Sequence, residues 1–170
     1  MIKKRSAYVM LASLLFLAIG SCKLYSFKDV SIPAEVKTVK VNYLDNKARY
    51  VNPQLSPQLS DRLRQKINNQ TRLTQVQGDD AHFEISGWVT DYSVTTSGIS
   101  NQQAASNRLN VSVHIILKNR LDDSKSFEAD VSRNFDFSAT LSLDQAQAQL
   151  TGTIIQNLTD EIFNRIFSNW

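Results

Sequence analysis

Leu109-Asn110-Val111-Ser112-Val113-His114-Ile115-Ile116-Leu117, residues 109–117, alternates apolar with polar side chains, and only Ile116 breaks the pattern. Successive side chains of a strand point to opposite faces, so a period of two describes a strand with one dry and one wet face. Phe127, Ala129, Val131, Phe135 and Phe137 repeat this pattern downstream, after a polar turn at Leu121-Asp122-Asp123-Ser124. Two such runs joined by a short polar turn predict an antiparallel hairpin. The dry face of that hairpin has to be covered, and the cover decides the fold.

The cover is legible on both sides of the hairpin. Toward the C-terminus, Leu143, Ala146, Leu150, Ile154, Leu158, Ile162 and Ile166 fall on one stripe and predict a helix over about 143–168. Ile155, Phe163, Phe167 and Trp170 widen that stripe, either completing a broad core face or offering a surface to a partner. Toward the N-terminus, Leu55, Leu59, Leu63 and Ile67 recur every fourth position and predict a helix over about 57–69. Ser56-Pro57 reads as its N-cap and first helical residue, since proline has no amide hydrogen to lose there.

Further strands are expected at about 36–43, 71–77 and 82–96, ahead of those at about 107–119 and 124–137. Gly87, inside Phe83-Glu84-Ile85-Ser86-Gly87-Trp88-Val89, marks a shift of apolar phase and predicts a bulge. Thr95 to Asn107 carries neither charge nor hydrophobic periodicity and reads as a long loop. Alternating sheet and helix covers of this kind give an α+β fold, a two-layer sandwich with two helices packed on one face of a four- to five-stranded mixed sheet.

With 170 residues, 42% hydrophobic and 21% charged, the chain fits one packed domain, and one cysteine excludes an internal disulfide framework. The sequence pI of about 9.0 invites a nucleic-acid reading. The charge, however, is displaced: Lys3, Lys4 and Arg5 precede an apolar run from Ala7 to Gly20, too short to span a bilayer but fitting an export signal. Without residues 1–21 the chain has sixteen basic and sixteen acidic side chains, so no nucleic-acid partner is expected.

The run ends in Ile19-Gly20-Ser21-Cys22, which resembles a bacterial lipobox. Cys22 is then the lipidation site and the first mature residue, and several acyl chains on it make release from a membrane negligible. Residues 1–21 are expected to be a lipoprotein signal peptide, 22–35 a lipid tether and leader, and 36–170 a single domain. Lys23-Leu24-Tyr25-Ser26 after the cysteine has no retention or surface-export acid, and by analogy with the sorting of bacterial lipoproteins the periplasmic leaflet of the outer membrane is expected.

Catalytic patterns are absent from the sequence. His82 and His114 lack metal-ligand spacing, and His114 on the wet face reads as a solvated imidazole. Asp79-Asp80 and Asp122-Asp123 sit in turns, where aspartate bonds its own backbone. There is no phosphate loop or nucleophile elbow, so a non-enzyme with no cofactor or metal, beyond the covalent lipid on Cys22, is expected.

Tyr25-Ser26-Phe27, Ser31-Ile32-Pro33, Val51-Asn52-Pro53-Gln54-Leu55-Ser56, Asn107-Arg108-Leu109, Ser132-Arg133-Asn134-Phe135 and the terminal Ile162 to Trp170 resemble the LptE family, in its Bacteroidota-type branch. The resemblance covers essentially the whole chain. It implies an outer-membrane lipoprotein that plugs an LptD-like β-barrel, helps that barrel assemble and takes part in inserting lipopolysaccharide into the outer leaflet. Lipopolysaccharide is a polyanion, so candidate contacts are basic: Arg108, at the base of the 95–107 stretch, Arg133, Arg62 and Lys66. Arg62, Arg64 and Lys66 also fit a solvated helix face. Arg133 shares the parity of Val131 and Phe135, and so is expected either buried against a carboxylate or turned outward by a bulge. The uncharged 95–107 stretch fits a surface loop or a tip against a barrel wall or lipopolysaccharide. Two other classes remain open: an auxiliary lipoprotein of an envelope lipid ABC transporter, and a stand-alone periplasmic lipid-binding module.

Overall fold

A computed structural model describes residues 32–100 and 103–168. The signal peptide, Cys22, the leader up to residue 31 and Trp170 lie outside the described residues. The elements in chain order are β1 (Thr38–Val41), β2 (Asp45–Asn46), α1 (Leu55–Gln70), β3 (Thr74–Gln75), β4 (Phe83–Ser100), β5 (Gln103–Asn119), a single 3₁₀ turn (Asp123–Lys125), β6 (Phe127–Ser138) and α2 (Leu143–Phe167). The sheet runs β3-β1-β4-β5-β6, with β2 beside β4. It is mixed, because β1 and β2 pair parallel to β4 while β4, β5 and β6 form an antiparallel meander.

The alternation in residues 109–117 fixes which face is dry. Leu109, Val111, Val113, Ile115 and Leu117 are fully buried under the helices. They join Leu59, Leu63 and Ile67 of α1 and Ile154, Leu158 and Ile162 of α2 in one core. Phe163 and Phe167, with rings 4.8 Å apart, are buried in that same core, so the additional aromatics of α2 complete the core face and do not form a partner surface.

Each helix starts with its own solution to the unpaired amides of its first turn. Ser142 and Gln145 cap each other reciprocally at the start of α2, side chain to backbone in both directions. In α1 the expected Ser56 cap is not formed: the helix begins at Leu55, and Asn52 Oδ1 instead accepts from the Gln54 amide at 3.0 Å. Ser56 is turned into the core, and Pro57 stands within the first turn, where its missing hydrogen still costs nothing.

Two expectations about β4 are corrected. The bulge lies at Thr90, between the pairs Val89 with Val113 and Asp91 with Ser112, and not at Gly87. Gly87 keeps regular register with Ile115; it is glycine because a Cβ there would collide with the His114 carbonyl oxygen and stand 3.2 Å from Ile115 Cα. The apolar phase change comes from the inserted residue, which moves the core parity from Val89 to Tyr92. Second, the described part of the 95–107 stretch is strand: Thr95 pairs with Arg108, Thr96 with Asn107 and Ser100 with Gln103. Serine, threonine and asparagine carry no hydrophobic alternation, yet backbone pairing extends β4 and β5 past the end of β6, whose last partner is Ser106.

Candidate functional site

The wet face of the sheet is a lattice of paired charges. Asn42 Nδ2 and Arg120 Nη2 both donate to the Glu84 carboxylate, at 3.0 and 2.7 Å. The Asn42 bond, working against partial burial and joined by Arg120, holds Glu84 below the usual carboxylate range. Lys40 reaches Asp79 and lowers its pKa in the same way, by hydrogen bond and by charge. His114 is not a solvated imidazole: it lies 4.6 Å from the Trp88 ring, with Nδ1 2.8 Å from Asp130 Oδ1 and Nε2 3.3 Å from Glu128. Lys47 Nζ covers the Trp88 ring at 3.9 Å. His82 serves the backbone, its Nδ1 accepting from the Lys37 amide.

The four basic candidates from the sequence do not converge. Arg108 is on the wet face, where Nε and Nη2 bind both oxygens of Asp136 at 2.8 and 3.0 Å; that bond raises the arginine and lowers the aspartate. Arg133 keeps its place in a regular β6 register opposite Val111, so no bulge turns it. It pairs with Glu161 of α2 while remaining half exposed, so the partner acid is present without the burial. Lys66 bridges the helices to Asp160 at 2.7 Å, with its Nζ 5.0 Å from the Phe163 ring. Arg62 shares with Lys66 a polar groove of about 330 Å³ between α1 and α2, which Gln65, Asn69 and Gln156 also line.

Three of the four cations are thus already matched by an acid, and they lie on opposite sides of the molecule. Among the described residues no set of three metal-ligating side chains is gathered, and no helix is long and apolar enough to cross a membrane.

One feature of the site had no signal in the sequence reading. The chain leaving β2 turns back so that the Tyr50 ring stacks on Tyr92 at 5.6 Å, and Asn52 Nδ2 donates to the Tyr92 hydroxyl at 3.3 Å. Arg49, Tyr50, Tyr92, Val94 and Leu143 border an open cavity of about 580 Å³ beside β4. The Thr90 bulge moves Tyr92 into the core and puts the exposed Val94 on the same face of β4, beside this cavity, and a bulge is hard to place from sequence alone.

Known proteins place this architecture. The profile of the lipopolysaccharide-assembly family LptE matches residues 36–166, the whole two-layer domain. The chain belongs to the LptE family. Solved structures share the architecture: a minor lipoprotein from Acinetobacter baumannii is 13% identical, with a TM-score of 0.54 over 79% of this chain and 94% of that one. A hypothetical protein from Chlamydia trachomatis is 12% identical, with a TM-score of 0.50 over 76% of this chain and 95% of that one. No curated protein matches the chain in sequence. Membership of LptE assigns this chain to lipopolysaccharide assembly, in a family that does not work by catalysis.

Proposed function

We propose that this LptE-family chain is a lipoprotein of the outer membrane, anchored through acyl chains on Cys22, which sits in and helps assemble an LptD-like β-barrel so that lipopolysaccharide reaches the outer leaflet. The observation that carries this reading is the match to the lipopolysaccharide-assembly family across residues 36–166. The surface chemistry supports it. The inner wall of a water-filled barrel is polar, and a body lodged there is favoured when its own charges are already balanced. The sheet face here pairs Glu84 with Arg120, Asp136 with Arg108 and Asp79 with Lys40. Beyond β6, the ribbon of β4 and β5 presents hydroxyls, such as Ser97 bonded to Ser106, without charge.

The role of the basic residues follows from their pairing. Lys66, Arg108 and Arg133 would each have to leave an acid before meeting a lipopolysaccharide phosphate. The subunit therefore works mainly by filling and steadying the barrel, with lipopolysaccharide contact secondary.

Detergent extraction of native membranes tests the reading. The full-length protein is expected to co-purify with one outer-membrane barrel of several hundred residues, and its depletion to lower both the mature barrel and surface lipopolysaccharide. A protein that stays single in detergent, with barrel level unchanged on depletion, overturns it.

A further inference from the structure

We infer that the outer edge of β4 from Asp91 to Thr96 is a strand-addition site, which takes an extended, uncharged segment of the barrel partner with apolar side chains at alternate positions. This deepens the barrel reading above and rests on it.

The edge is open because β4 outruns its neighbours on that side. β1 pairs with it at Phe83–Ile85 and β2 at Trp88–Val89, and the last backbone bond on this edge runs from the Lys47 amide to the Val89 carbonyl at 3.0 Å. From Asp91 onward, no described strand continues that row. The bulges at Thr90 and next to Gly98 bracket a regular stretch of six residues, Asp91 to Thr96. At about 3.3 Å per residue that is roughly 20 Å of unpaired backbone, enough for a short added strand.

Natural sheets protect such edges with charges, prolines or brevity. The two outermost strands of the described sheet follow the rule: β3 has two residues, and β6 carries Glu128, Asp130, Arg133 and Asp136. The β4 stretch Asp91-Tyr92-Ser93-Val94-Thr95-Thr96 has one charge and otherwise residues that favour strands. An unprotected edge six residues long, in a sheet whose outermost strands are protected, is an edge kept for pairing.

Alongside it, the 580 Å³ cavity bordered by Tyr50, Tyr92, Val94 and Leu143 lies on the helix side of the same stretch. Val94 and Tyr50 are among the few large apolar side chains left exposed. An added strand points every second side chain to that side, so the cavity asks for apolar groups at alternate positions. Only a polypeptide backbone supplies the donors and acceptors that continue the ladder from β2. A second copy of this chain fits less well, because its own Tyr92 is already buried beneath its own Tyr50 and cannot fill a neighbour's cavity.

Hydrogen exchange on the full-length protein in detergent, alone and in the complex isolated with its barrel, tests the site. Exchange in Asp91–Thr96 is expected to slow on complex formation. The V94K/T96K variant, changed at two exposed positions, is expected to keep its thermal midpoint yet recover about tenfold less barrel or lower still. Unchanged exchange in that segment, with the barrel present, overturns this inference and leaves the barrel reading intact. Recovery of no barrel with the unaltered protein overturns both. Protection that appears in the isolated protein as its concentration rises identifies a second copy as the occupant and overturns the assignment to the barrel.

Discussion

Arg108 of β5 and Asp136 of β6 stand directly opposite each other in the antiparallel register and close a two-pronged ion pair on the wet face of the sheet. The hydrogen bond from the guanidinium pulls the carboxyl below the usual range. A carboxylate with a depressed folded pKa adds stability that is complete above its unfolded value and is lost as pH falls through the folded value. A double-mutant cycle of R108Q and D136N, followed by thermal unfolding, should therefore show coupling at neutral pH that fades on acidification below the ordinary aspartate range. Both side chains are about half exposed, so the coupling should also shrink in high salt. Equal coupling at neutral pH and in strong acid would contradict the pairing.

Gly87 gives a sharper test, since its cause is contact and not backbone angle. A methyl group there meets the backbone of His114 and Ile115 on β5, and backbone gives way less readily than a side-chain tip. Overpacking of this kind costs roughly 1–3 kcal/mol. Gly87→Ala should lower the unfolding free energy by that amount, read as a urea midpoint reduced by the loss divided by an unchanged slope. Gly152, on the exposed side of α2 with nothing near its Cβ position, is the control: Gly152→Ala should stabilise by about 0.5–1 kcal/mol through helix propensity.

Lys66 ties the two helices together in three ways. Its ammonium pairs with Asp160, approaches the Phe163 ring and ends a stem that is mostly covered. Lys66→Ala should cost about 1–2 kcal/mol, and Lys66→Met less, because the methionine keeps the covered stem. If both variants melt like the parent, the bridge contributes nothing and the helices are held by their apolar seam alone.

The parts of the molecule that sequence discloses are those where one physical rule acts alone. Leu109 to Leu117 alternates because one face of β5 is dry, and Leu143 to Ile166 repeats because α2 buries one stripe; both were readable without any partner in view. The misread places are those where two rules compete. Ser56-Pro57 looks like a helix entry, but Asn52, three residues ahead of the first helical position, reaches the cap amide first. The pattern Ser142-Leu143-Asp144-Gln145 did carry a capping-box signal at the start of α2. Thr95 to Asn107 has no apolar period, and its strand state comes from pairing with its neighbour. The partners of Arg108, Arg133 and His114 are set by cross-strand and sheet-to-helix register, which no local window of sequence contains.

Tyr92 joins the α1 entry to the open edge of β4, and its chemistry makes that junction sensitive to alkali. The ring is buried, and burial pushes its phenol above the ordinary value of 10.0, against the opposing pull of the Asn52 hydrogen bond. Ionising the phenol inside the fold is thus disfavoured. A group with a raised folded pKa contributes stability that is complete below the unfolded value and is lost as pH rises through the folded one. Stability should accordingly fall above pH 10, and Tyr92→Phe should flatten that fall. At neutral pH the same substitution leaves the buried Asn52 amide without its acceptor, which costs about 1–2 kcal/mol. Tyrosinate absorbance followed through an alkaline titration, with unfolding monitored in parallel, checks both. If loss of structure above pH 10 is identical in the parent and the Tyr92→Phe variant, the phenol is not the group that links α1 to β4.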